Sequence, residues 1–164
     1  MMAETVEFSI LGLDSLKAKL ESVTYDMKRK GGRSALRKAA QLIAEKAKEE
    51  AMRLDDAETG RSISDNIAIR WNSRRYNRNG DLSFRIGVLG GAKIKVKGNP
   101  DLGEGGVTPH WRYLEFGTSN ARAQPFMRNA LAYSINAATD AFVTNYETAI
   151  DRAIKRVARA SGGG

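Results

Sequence analysis

The side chains able to do chemistry in this chain are few, and they do not converge. His110 is the single histidine and there is no cysteine, so disulfides, thiolate metal sites, cysteine nucleophiles and a two-histidine metal site within one chain drop out together. A Ser-His-Asp triad would have to use His110, which lies between Pro109 and Trp111 and reads as structural. No Gly-x-Ser-x-Gly elbow is present. Gly87-Val-Leu-Gly-Gly-Ala-Lys93 has the look of a phosphate loop. It lacks the Gly-x-x-x-x-Gly-Lys-Ser/Thr spacing, and no helix follows to aim N–H groups at an anion. Asp55, Asp56 and Glu58 fall in one polar stretch and read as a solvated turn rather than a working pair of carboxylates. No catalytic, cofactor-binding or metal-binding residue is assigned, no cofactor is expected, and the chain reads as a non-enzyme.

What the chain has in quantity is positive charge. Its 27 lysines and arginines against 19 acids give a formal charge of +8, which draws polyanions such as nucleic acid, acidic protein faces or anionic membranes. The cations cluster. Lys28, Arg29, Lys30, Arg33, Arg37 and Lys38 crowd one stretch without an acid among them. Arg70, Arg74, Arg75 and Arg78 gather around Tyr76, and arginine beside an aromatic ring grips phosphate or stacks on a base. Each cluster is read either as a solvated face or as a contact for a partner or for DNA. Arg152, Lys155, Arg156 and Arg159 need no ligand, because positive charge favours the C-terminal end of a helix dipole.

The elements that must position these residues follow from hydrophobic period. At 164 residues and 41% apolar content the chain is read as a single domain, 1–164, with a sizeable core. No apolar run approaches the roughly 18 residues of a membrane span, and the N-terminus, acidic at Glu4 and Glu7, has no signal-peptide character. Val6 to Leu13 predicts a short strand. Leu13, Leu16, Leu20, Val23 and Met27 form one stripe of a helix over 14–29. Gly31-Gly32 predicts a break or kink, since each glycine costs about 1 kcal/mol against alanine. A second helix over 33–53 follows, with Leu36, Ala39, Ala40, Ile43, Ala47 and Ala51 as its buried stripe and its small residues suited to close packing.

Ile67, Ile69 and Trp71 alternate as a strand, residues 73–81 predict a hairpin turn with Asn79-Gly80 at positive φ, and Leu82, Phe84, Ile86 and Val88 return. Residues 87–109 predict a flexible, glycine-rich loop in which Gly90, Gly91, Lys93, Lys95, Lys97 and Gly105 stand as a possible inter-subunit contact. Trp111 to Phe116 alternates and predicts a third strand. From Pro125 one long helix runs to about Ala160, with Phe126, Leu131, Ile135, Ala138, Phe142, Tyr146, Ile150, Ile154 and Val157 as its apolar band. Residues 161–164 are expected to fray. The fold class is therefore α+β: a small antiparallel sheet of about three to four strands packed against two N-terminal helices and one long C-terminal helix.

Trp111-Arg-Tyr-Leu-Glu-Phe-Gly-Thr118 followed by Ala123-Gln-Pro-Phe-Met127 and a helix resembles the tail-completion or head–tail joining (neck) proteins of long-tailed bacteriophages, minor tail protein Z-like. The matching residues are Tyr113, Glu115, Phe116, Gly117, Thr118, Ala123, Pro125, Phe126, Met127, Arg128 and Ala130, and the stretch from Phe8 to Leu16 fits the same pattern. Two departures are Met52-Arg-Leu-Asp-Asp56, where many members end the helix in Ala-Pro, and the length of the 87–109 segment. The resemblance implies a structural virion protein of the neck. Its partners would be copies of itself in a ring, the head connector or stopper, the tail terminator or tail tube, and double-stranded DNA passing non-specifically through the channel. No membrane is expected, and host cytoplasm would be the site of assembly.

Within the signature, Tyr113, Leu114 and Phe116 are expected to join sheet to helices, Gly117 to permit a strained turn, and Pro125 to fix the helix entry. Glu115 is expected to make a salt bridge within or between subunits. A basic nucleic-acid-binding module using the Arg70–Arg78 hairpin and the Lys28–Lys38 patch is the alternative reading.

Overall fold

The computed structural model describes residues 24–55, 58, 62–89 and 108–162. Helix α1 spans Tyr25–Met52. A 3-10 turn at Ser64–Asn66 leads into strand β1, Ile67–Trp71. Helix α2, Ser73–Asn79, connects it to strand β2, Phe84–Val88. Helix α3, Trp111–Phe116, precedes helix α4, Phe126–Ser161. The fold is α+β, but among the described residues the sheet has two strands, not three to four. The expected strand at 6–13 and most of the expected helix at 14–29 lie outside the described residues, as do 90–107 and 163–164.

The frame is an antiparallel pair of long helices. Ala35 of α1 packs with Tyr146 and Ile150 of α4, while Ala44, Ala47 and Ala51 at the other end of α1 pack with Phe126 and Ala130. The buried face of α1 is a stripe of small residues, Gly32, Ala35, Ala39, Ala40, Ala44, Ala47 and Ala51, with Leu36 and Ile43 only half-buried beside it. That stripe lets two backbones approach closely. It also explains why the expected break at Gly31-Gly32 is absent and α1 runs through it. A Cβ on Gly32 would stand 2.8 Å from Leu82 Cδ1 and 3.2 Å from the Tyr146 ring, and one on Gly31 would stand 3.1 Å from Ala149 Cβ. The glycines lie against Ala149 and Tyr146 of α4, and this packing outweighs their intrinsic cost. The Tyr146 hydroxyl donates to the Lys28 carbonyl at 2.8 Å beside them, and burial raises its pKa above the ordinary phenol value.

Of the apolar band expected on α4, Phe126, Ala138, Tyr146 and Ile150 are buried and Ile135 and Phe142 half-buried, while Leu131, Ile154 and Val157 are exposed and Ala130 and Ser134, outside that band, are buried. Small residues again face the partner helix, and the Ser134 hydroxyl is satisfied by the Ala130 carbonyl one turn back.

The sheet lies along α1, with Ile67, Ile69, Ile86 and Val88 on the core of Ala44, Ala47 and Ala51 and Trp71 nearer the N-terminal half. Its register pairs Ile67 with Val88, Ile69 with Ile86 and Trp71 with Phe84 on the inner face, and Ala68 with Gly87 and Arg70 with Arg85 on the outer face. The expected turn at 73–81 is a two-turn helix. Asn72 Oδ1 accepts from Arg75 N at 3.3 Å at its start, and Gly80 closes it at φ 75° by donating to the Tyr76 carbonyl at 2.8 Å. Asn79 stays helical, because a seven-residue connection is long enough to wind.

Candidate functional site

Two constructions stand out: a buried carboxylate at the start of α4 and a cationic face beside the sheet. The first comes from the stretch expected as a third strand. Trp111–Phe116 is helical, with Tyr113 N and Leu114 N donating to the His110 carbonyl and Gly117 N to that of Tyr113. Alternation is ambiguous over six residues, and here the winding serves Glu115. The chain leaves α3 at Gly117, whose φ of 75° and ψ of 178° belong to glycine alone. A Cβ there would sit 2.8 Å from Ala123 N. Thr118 Oγ1 then accepts from Ala121 N at 3.0 Å, and Gln124 N donates to the Leu114 carbonyl at 2.6 Å, so the segment folds back onto α3.

This return brings the first turn of α4 onto Glu115. The carboxylate accepts from Met127 N at 2.9 Å and Arg128 N at 3.2 Å, and it pairs with Arg128 Nε at 3.0 Å. The Arg128 guanidinium also donates to the Glu115 carbonyl. Pro125 occupies the N-cap position and has no side chain to cap with, so Glu115 supplies the cap from the neighbouring helix. The salt bridge expected for Glu115 lies within the subunit. Of the three residues expected to join sheet to helices, Leu114 packs on the core, whereas Tyr113 and Phe116 are 64% and 66% exposed. Trp111 is half-buried against the same core and Phe126 is fully buried in it.

The cationic face joins the two clusters that lie apart in sequence. Arg29 stacks on the Tyr76 ring at 4.6 Å and Arg33 on the Trp71 ring at 4.3 Å, which draws the N-terminal half of α1 onto α2 and β1. Trp71 in turn contacts Tyr76 and Phe84 edge-on or tilted, at 5.5 and 5.1 Å. Arg75 is paired with Asp81 at 3.0 Å. Lys28 is half-buried near the helix contact, while Lys30 and Arg37 are exposed on α1. Lys38 donates to Asn145 Oδ1 at 2.7 Å across to α4. Arg70, Arg74 and Arg78 point outward and are joined by Arg85, which sequence reading passed over. Its signal is the strand alternation around it, which places it outward, but its pairing with Arg70 depends on the register. Gly90, Gly91, Lys93, Lys95, Lys97 and Gly105 lie outside the described residues.

The ends that flank 90–107 meet at one residue. Leu89 N donates to the Asn66 carbonyl at 2.8 Å, and Asn66 Nδ2 donates to Thr108 Oγ1 at 2.8 Å, with Asn66 and Thr108 both buried. Neither residue drew attention in the sequence, because the partnership spans 42 positions. His110 contributes its backbone carbonyl to α3. Among the described residues no three His, Cys, Asp or Glu side chains gather as a metal site would need, and no helix is long and apolar enough to cross a membrane.

The described side chains therefore build a structural α+β scaffold, with its buried polar groups spent on capping and anchoring and with cations and aromatics displayed outward. The chain belongs to the family described as "Bacteriophage HK97-gp10, putative tail-component", whose model matches residues 14–117, well over half of its length. The match takes in α1, the sheet and α3 through Gly117. No curated protein and no solved structure gave a significant match. Membership makes this a structural tail component of a bacteriophage, and so a protein of the virion.

Proposed function

We propose that the chain is a neck protein that completes the tail and joins it to the head. Identical subunits form a ring around the DNA channel, between the head connector or stopper on one side and the tail terminator or tube on the other, assembled in host cytoplasm. The observation that carries this reading is the pair of exposed aromatics in the family-matched segment. Tyr113 and Phe116, three residues apart on one face of α3, present large apolar surface to solvent beside Arg112 and Arg128. Aromatic and arginine side chains together are the usual anchors of a protein interface. The occupant is a second copy of this chain, since a ring repeats one contact between neighbours.

The test is the double substitution Tyr113→Ser with Phe116→Ser. Both side chains lie outside the core, so the variant is expected to keep its circular dichroism and unfolding midpoint. Light scattering and electron microscopy should find rings of the unmodified chain, alone or with its tail partner, and only monomers of the variant. A monomeric unmodified chain under every such condition, or a variant that forms rings equally well, rejects the reading.

A further inference from the structure

We infer that the outer face of the β1–β2 sheet, continued onto α2, is a seat for the phosphate backbone of duplex DNA. Arg70, Arg74, Arg78 and Arg85 are the groups that hold it. Arg70 and Arg85 face each other across the antiparallel pair on the solvent side. Like charges in that position destabilise a sheet, so the pairing has no structural benefit of its own. An anion between or above them removes the repulsion.

Arg85 also divides two clefts that together form one trough. The first, about 320 Å³, is lined by Ala68, Ile86, Gly87, Val88 and Leu89 together with Arg70 and Arg85. The second, about 330 Å³, is lined by Asn72, Arg74, Arg75, Arg78, Asn79 and Arg85. The first is open at Gly87, because a Cβ there would meet nothing within 4 Å. Arg74 and Arg78 are one helical turn apart, about 6 Å along α2, so they extend the row of cations along the trough. Among the described residues none of these four arginines has a carboxylate partner, in contrast to Arg75 with Asp81. Arg29 and Arg33 are committed to the Tyr76 and Trp71 rings.

The trough fits nucleic acid better than an acidic protein. Protein interfaces have an apolar centre with charge at the rim. Here the second cleft is lined by asparagines and arginines alone, while Ile86, Val88 and Leu89 line the first beside Arg70 and Arg85. A polar, strongly positive surface without such a centre has the character of a phosphate contact. No element is placed to read base edges, so the contact is independent of sequence. It rests on the ring reading only for which DNA the face meets, namely the duplex in the channel.

The test uses the full chain and a random-sequence duplex, with affinity followed against salt. Four phosphate contacts predict a slope of about −3.6 in log K against log salt, roughly a hundredfold loss from 50 to 200 mM. Arg70→Gln and Arg85→Gln should each flatten the slope by about 0.9, and the quadruple glutamine variant should nearly abolish it. The control removes the same charge elsewhere, at the exposed Arg152, Lys155, Arg156 and Arg159 near the end of α4, and should leave the slope standing. If the two quadruple variants lose binding alike, or the unmodified chain does not bind the duplex at low salt, the inference is overturned. Ring size measured on the same samples keeps the two readings apart. Intact rings without DNA binding reject this one alone, and DNA binding without rings rejects the other alone.

Discussion

Burying a carboxylate costs several kcal/mol unless its oxygens find donors, and Glu115 is only 2% exposed. Its oxygens find two backbone amides of α4 and a guanidinium. Arg128 is 59% exposed at its side chain and rehydrates when the pair is broken, so the ion pair itself contributes at most about 1 kcal/mol. The amides matter more, because the first turn of α4 has no other cap. Glu115→Ala is therefore expected to destabilise by about 2 kcal/mol, and Glu115→Gln, which retains one acceptor oxygen, by about half of that. Urea unfolding of the two variants checks both size and order. Equal losses would mean that charge, not capping, is what the site supplies. The value of Glu115 is geometric: it holds the angle at which α4 leaves α3.

At the scale of elements, Gly31 and Gly32 carry the sharpest contrast between local preference and packing. Helix propensity alone would make alanine stabilising by about 1 kcal/mol per site. The observed contact predicts the opposite sign. The Cβ of Gly32→Ala meets Leu82, which can move, and Tyr146, which is held by its bond to the Lys28 carbonyl. Overpacking of this kind costs about 1–3 kcal/mol, so a net loss of about 1 kcal/mol is expected in thermal or urea unfolding. Gly87→Ala, whose Cβ enters open space within β2, is the control and should be neutral or stabilising by up to about 1 kcal/mol. The same tension decided α3. Six alternating residues suit a strand or a helix equally well, and the choice came from the return of 118–124 onto Leu114 and Glu115.

At the scale of the molecule, the outward features separate. The exposed aromatics of α3 stand at the start of α4, while the arginine trough lies on the outer sheet face and α2. The antiparallel pair of α1 and α4 carries both. Joining the Tyr113 and Phe116 substitutions to the four arginine substitutions in one chain should thus give independent losses. Monomeric variants should bind duplex no better with the arginines present than single subunits allow, and arginine variants should build rings of normal size. Coupling beyond about 0.5 kcal/mol in unfolding of the combined variant would show that the two surfaces share a structural element.

Much of this was readable from the residues alone. Long-range order came from period: apolar steps of three and four over 33–53 and 126–150, and strict alternation at Ile67–Trp71 and Phe84–Val88, are strong signals because each is repeated many times. The Tyr-x-Glu-Phe-Gly-Thr pattern also pointed to the family that the comparison then showed. What tertiary structure alone decided depends on partners distant in the chain. The two glycines stay helical because Tyr146 and Ala149 lie against them. Trp111–Phe116 winds because Glu115 must reach Met127 and Arg128. Asn66 matters through Thr108, and Arg85 through Arg70. A local pattern records which face of an element is apolar, but it does not record what that face will meet. Where propensities differ by about 1 kcal/mol or less, the neighbour decides.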